Sequence, residues 1–203
     1  MFGREIRIPD ESDPKKEWRM EKLGKNSTIK GRIGWQGLTT AEYRKDGNFH
    51  LVTGTDFKDG RISWESCVYV DEERYEQDAH IQLKTNDVLV TKDGTIGKIA
   101  LVDRLPKPST LNTGVFVIRP IDDSYIPLFF YHILESSYFE IFLNVVKAGS
   151  TINHLFQSDF KNFVFPIPPI PEQQKIVMIL SVVMPVFNSE KYISNSLKSV
   201  LKQ

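Results

Sequence analysis

Residues 166–171 read Pro-Ile-Pro-Pro-Ile-Pro. Four prolines in six positions fix φ and remove backbone donors, so neither a helix interior nor a central strand can run through them. The run is expected to be a stiff, extended linker, and it divides the chain into two unlike parts. Before it, short apolar stretches alternate with turn residues. After it, Ile176, Ile179, Val183, Val186, Glu190, Ile193, Leu197 and Val200 recur at heptad-like spacing, all but Glu190 apolar. Pro171 suits a first helical position, and Glu172 suits a first turn. Such a helix can pair with another helix or fold back on its own domain. Pro185 predicts a kink or break near Val183.

The first 17 residues are polar, with Pro9 and Pro14, and are expected to be a flexible lead-in. Residues 18–168 have the size of one domain, and thirteen Phe and seven Tyr supply large side chains for its core. Strands are expected at 50–53, 61–64, 87–90, 98–102 and 115–118, with Asp59-Gly60 as a hairpin signal. The unbroken Val115-Phe116-Val117-Ile118 predicts a strand buried on both faces. Residues 126–146 place Phe129, Phe130, Ile133, Leu134, Tyr138, Ile141, Phe142 and Val145 at the helical period, which predicts one long helix stopped by Gly149. A shorter helix is expected at 155–160 with Asn153 as its cap.

Lys+Arg and Asp+Glu are equal at 26 each, which argues against a binder driven by bulk charge. The charges are unevenly spread, with acids at 10–13 and 71–78 and bases at 22–32, 84–119 and from 147 onward. A basic face with an acidic back fits this spread, and so do solvated surfaces of mixed sign. The single Cys67 excludes an internal disulfide framework and reads as a small core residue. No apolar run reaches the ~18 residues of a membrane span, so a cytoplasmic, soluble chain with no membrane partner is expected.

Chemistry is hard to find. The segment 91–98, Thr-Lys-Asp-Gly-Thr-Ile-Gly-Lys, lacks the spacing of a nucleotide-binding loop and precedes a strand. A hairpin offering amides, hydroxyls and ammoniums to a DNA phosphate fits it better. His50, His80, His132 and His154 have no two-histidine metal spacing, and His132 falls within an apolar helical pattern. Paired carboxylates occur only in acidic surface runs such as 71–73 and 122–123. No catalytic centre, metal or cofactor is expected.

Several landmarks together resemble one family. Trp18 followed by Leu23-Gly24 is similar to the W-x(4)-LG opening of a target recognition domain. Residues 86–98 resemble the signature G-D-[VIL]-L-x-[ST]-x-x-G-T-[IV]-G, with Asn86 in place of glycine. Residues 111–115 with Arg119-Pro120 resemble its N-x-G-[VF]…[RK]-P segment, and 148–152 its G-[ST]-[TG] turn. The stretch Phe165 to Ile176 is very similar to I-P-[LI]-P-P-[LI]-x-E-Q-x-x-I, which opens the family's spacer helix. In this order the set resembles a specificity subunit of a type I restriction-modification system. Such subunits usually carry two recognition units, and this chain carries one.

The resemblance implies an α/β fold, a mixed strand-rich target recognition domain at 18–168 followed by a C-terminal coiled-coil-like helix within 169–203. It implies a non-catalytic subunit that recognises double-stranded DNA for methyltransferase subunits and, through the complex, restriction subunits. Lys30, Arg32, Gln36, Thr53, Thr55, Lys92, Thr95, Lys98, Lys147, Ser150, Thr151, Asn153 and His154 are candidate DNA contacts, being polar residues at turns or ends of strands. Ile176, Ile179, Val183, Val186, Ile193, Leu197 and Val200 are the candidate helix-pairing seam, through which a second copy could supply the second unit. An unbroken helix over 171–201 would span about 45 Å, or about 13 base pairs. The alternative is a truncated or silent subunit that serves only as a protein-interaction module without DNA binding.

Overall fold

The computed structural model describes residues 18–148 and 154–187. Its elements in chain order are β1 (Arg19–Lys22), α1 (Leu23–Asn26), β2 (Ser27–Lys30), β3 (Phe49–Val52), β4 (Phe57–Lys58), β5 (Arg61–Ile62), β6 (Val68–Val70), α2 (Glu72–Glu76), β7 (Val88–Thr91), β8 (Ile99–Leu101), β9 (Ser109–Leu111), β10 (Val115–Pro120), α3 (Pro127–Glu135), α4 (Ser137–Ala148), α5 (Gln157–Phe160), β11 (Val164–Ile167) and α6 (Ile170–Phe187). The strands form a six-stranded sheet in the order β2-β10-β7-β8-β5-β4, a three-stranded sheet β6-β3-β9 and the pair β1-β11.

Strand periodicity explains the two cores. Successive side chains on a strand point to opposite faces. Val88 and Val90 of β7, with Phe116 and Ile118 of β10, therefore enter one cluster, beneath α3, α4 and α5. Leu89, Val115 and Val117 enter the other, with Val52, Phe57, Trp64, Ile81 and Leu111. The central strands are buried on both faces, as the unbroken apolar run at 115–118 predicts. Cys67 lies in the second cluster; burial, reinforced by Asp56, pushes its thiol up to about 12, so it is a packed side chain and not a thiolate.

The Asp59-Gly60 hairpin is present. Both turn residues have positive φ, 48° and 71°, which matches the twist of the flanking β4 and β5. A Cβ on Gly60 would lie 1.9 Å from the Tyr131 hydroxyl, which donates to Glu135 Oε1 at 2.9 Å. Gly60→Ala should therefore cost about 2 kcal/mol, from left-handed strain and displacement of α3. Urea denaturation checks this, and an unchanged midpoint would contradict it.

Several expectations are corrected. The single helix over 126–146 is two helices, because Ser136 adopts an extended conformation (φ −88°, ψ 170°) and donates from both N–H and Oγ to Ile133 O. The break lets Phe129, Phe130 and Ile133, then Phe139 and Leu143, all face the core, whereas Ile141 and Val145 turn out to be 62% and 68% exposed. The short helix is capped by Phe156, not Asn153; Asn153 and Gly149 lie outside the described residues. The proline run is not a separate stiff linker. Pro166 sits in β11 opposite Met20, Phe165 and Ile167 are buried, and only Pro168 and Pro169 stand between β11 and α6, which begins at Ile170. A two-stranded pair has open edges, so a proline is tolerated there.

Helix α6 continues through Val183 and Pro185 to Phe187, so no break falls at Val183. Its first turns pack on the domain. Ile176 is buried in the core beside α3, with Val177 and Leu180 half-buried against it. Ile176 therefore does not belong to an outward seam, whereas Ile179 and its neighbour Met178 are exposed. Ile193, Leu197 and Val200 lie outside the described residues, as do residues 1–17.

Candidate nucleic-acid interface

Register brings one set of loops together. β10 is antiparallel to β2 and β7, which places the end of β2 and the end of β7 beside the start of β10. β8 begins beside the end of β7. β3 and β9 run parallel and stop together, where Asn112 N–H donates to Val52 O at 3.0 Å. The loops after β2, β3, β7 and β9 thus meet at one end of the sheets. Contacts join them: Lys92 N–H donates to Gly114 O at 2.9 Å, Leu155 N–H donates to Lys92 O at 2.8 Å, and Asp93 bridges to His154. A Cβ on Gly54 would lie 2.7 Å from Thr91 Cγ2, so the loop after β3 presses on the end of β7.

The cations at this end differ in availability. Lys30, at the end of β2, and Lys98, just before β8, are exposed. Lys147 is exposed in the last turn of α4, one turn beyond Leu143, which packs against Gly97. Lys92 is different: its ammonium sits 4.9 Å above the Phe116 ring, and burial lowers its pKa. His154 Nδ1 pairs with Asp93 and its ring leans on Phe156 at 4.5 Å.

The polar candidates divide in the same way. Thr91 Oγ1 donates to Thr95 O and accepts from Lys98 N–H at 2.9 Å, which closes the loop and leaves Thr95 exposed at its tip. Thr53 Oγ1 donates to Asp56 Oδ2 at 2.8 Å and meets Thr55 Oγ1 at 2.6 Å, so both hydroxyls help to shape their own turn. Gln36 is buried, and its Oε1 has no partner among the described residues. Ser150, Thr151 and Asn153 lie outside those residues.

Arg32 does not join the surface. It is 1% exposed and donates to Leu111 O, Gln77 Oε1, Arg74 O and Thr110 Oγ1 at 2.9–3.2 Å. Burial, and after it the neighbouring Arg74, lower its pKa. Its sequence position after a strand suggested a phosphate contact; its donors are spent on the frame.

Sequence reasoning passed over Ile33 and Phe156, large apolar side chains left exposed in these loops. A search for hydrogen-bonding types could not have found them. It also passed over Asn112, which donates to the Tyr43 hydroxyl at 2.7 Å and accepts from Thr113 N–H at 2.6 Å. Its Asn-Thr-Gly setting was the available signal. Among the described residues, no group of three or more His, Cys, Asp or Glu side chains could hold a metal ion.

A family model described as the type I restriction modification DNA specificity domain matches residues 16–199. The chain belongs to this family. The type I restriction enzyme EcoBI specificity subunit of Escherichia coli is 29% identical over 157 residues, which cover 77% of this chain and 33% of that protein. The EcoR124I/EcoR124II specificity subunit of Escherichia coli is 25% identical over 158 residues, 74% of this chain and 38% of its own length. The chain spans about a third of the length of the curated relatives it matches.

The fold agrees. A chain from a structure of a type I R-M system, solved for complex assembly and conformational transition, superposes with a TM-score of 0.65 at 20% identity, covering 97% of this chain and 45% of that one. The HsdS subunit from Thermoanaerobacter tengcongensis gives 0.62 at 19% identity, covering 91% and 41%. This chain is a DNA specificity domain of the type I restriction modification family. No described helix is long and apolar enough to cross a membrane.

Proposed function

We propose that the chain reads one half of a two-part site on double-stranded DNA and directs methyltransferase subunits, and through them restriction subunits, to that site. The observation that carries this reading is the convergence of four strand-end loops on one end of the sheets, with Lys30, Lys98 and Lys147 exposed around them. Phosphate contacts from such cations set register, while polar and apolar groups between them read base edges. The hydroxyl, amide and imidazole groups of Thr95, Asn112 and His154, with the apolar Ile33 and Phe156, supply that mixture. The second half-site is read by a second copy. The exposed Met178 and Ile179 on α6 are the described part of the surface through which the copies pair. A symmetric pair reads a symmetric target.

Co-expression with the methyltransferase subunits of the same system, followed by mapping of methylated adenines, tests this. The expected outcome is a two-part palindromic motif with one fixed gap. Binding to the methyltransferase without methylation or DNA affinity would favour the interaction-module reading instead.

A further inference from the structure

We infer that Trp18, Glu172 and Gln173 form a latch that fixes the direction in which α6 leaves the recognition domain, and thereby sets the gap length at which a two-part target is accepted. This rests on the half-site reading above.

The latch lies in the first turn of α6. Glu172 is 3% exposed and Gln173 0%, although Met178 on the same helix is 68% exposed. Glu172 Oε1 accepts from Trp18 Nε1 at 2.9 Å. Trp18 immediately precedes β1, and β1 pairs along its whole length with β11, the strand that leads into α6. Gln173 uses both ends of its amide: Oε1 accepts from Ile126 N–H at 2.8 Å, and Nε2 donates to Pro168 O at 2.8 Å. Ile126 is the residue before α3, and α3 packs against α6. One helical turn is thus tied to the entry of β1, the entry of α3 and the exit of β11.

Burial alone does not call for these side chains. A typical intramolecular hydrogen bond adds little net stability, and apolar residues of the same volume fill such a place as well. What directional bonds add is orientation. The apolar contacts of Ile176, Val177 and Leu180 resist separation of α6 from the domain, but a packed apolar surface tolerates small rotations that bonds of 2.8–2.9 Å do not.

The geometry of a lever shows why small rotations matter. The 18 residues of α6 extend about 27 Å at ~1.5 Å per residue. One base-pair step is ~3.4 Å, so a tilt of only about 7° at the base of the helix moves its far end by one step. Discrimination between neighbouring gap lengths needs an exit angle held more tightly than that. In a symmetric pair the slack at each domain adds to that of the other.

The test measures methylation by the full chain, co-expressed with its methyltransferase subunits, on duplexes whose half-sites are separated by gaps differing by single base pairs. The wild type is expected to accept one gap. Trp18→Phe keeps the ring but loses the donor, and Gln173→Leu keeps the volume but loses both bonds. Each should leave the half-site sequences unchanged and admit gaps one longer and one shorter, lowering gap discrimination by about three- to tenfold. Glu172→Gln retains an acceptor for Trp18 and should keep wild-type gap selectivity, an outcome that a general packing defect would not produce. Cooperative melting of each variant confirms folding, and Trp18→Phe serves if Gln173→Leu does not fold. Unchanged gap selectivity in active variants overturns the latch alone, as does loss of methylation at every gap. A wild type that methylates no two-part target overturns the half-site reading as well.

Discussion

Arg32→Ala should lower the stability of the recognition domain by about 3–5 kcal/mol, one of the largest effects of any single substitution in this chain. The side chain is fully buried and donates to two backbone carbonyls, the Gln77 amide oxygen and the Thr110 hydroxyl. Alanine removes four donated hydrogen bonds, although Gln77 Oε1 still accepts from Arg74 Nη1 at 3.3 Å, and opens a cavity between β9 and α2. Arg32→Lys should rescue little, since one ammonium cannot replace a planar fork that reaches four acceptors. Urea denaturation of the purified chain measures this. A loss below about 1 kcal/mol would mean that the guanidinium is dispensable to the frame.

The largest functional effect is expected from the triple substitution of Lys30, Lys98 and Lys147 by alanine. All three are exposed, so stability should change little. If each neutralises one phosphate, affinity of the assembled complex should fall on the order of 100-fold near physiological salt, on cognate and scrambled duplexes alike. The slope of log affinity against log salt should shrink by about 2.7. Lys92→Ala should behave differently. Its ammonium is held over Phe116, so the change should cost about 0.5–1 kcal/mol of folding stability and alter the salt slope less. Competition binding at several salt concentrations separates these outcomes, and an unchanged slope in the triple variant would place the DNA face elsewhere.

Much of the scaffold was legible because its signals are local. The Asp59-Gly60 turn, the strands at 88–91 and 99–101, and the doubly buried β10 follow from turn chemistry and two-residue periodicity. What failed depended on partners distant in sequence. Helical spacing runs unbroken through Ser136, and only packing on two faces of the core reveals why the chain stops there. Pro166 looks like part of a linker until β1, over 140 residues away, is found alongside it. Arg32 and Lys30 stand two positions apart, yet one is interior and the other exposed; that difference is made by Gln77, Thr110 and Leu111. Polar type at a turn gathers candidates at one end of the sheets but does not tell which of those side chains are already spent on the frame.

The pairing of β1 with β11 has a consequence of another kind. Arg19 and Ile167 are register partners, so the polypeptide enters and leaves the recognition unit at the same place. A unit with adjoining entry and exit is a cassette: it can be inserted into a host chain, duplicated in tandem or exchanged for another without threading the backbone across a core. Each insertion would bring its own closing strand pair, and the helix that follows would emerge from every copy at the same seam. Architecture of this sort allows whole modules to be exchanged by recombination while the packing on either side of the seam is left intact.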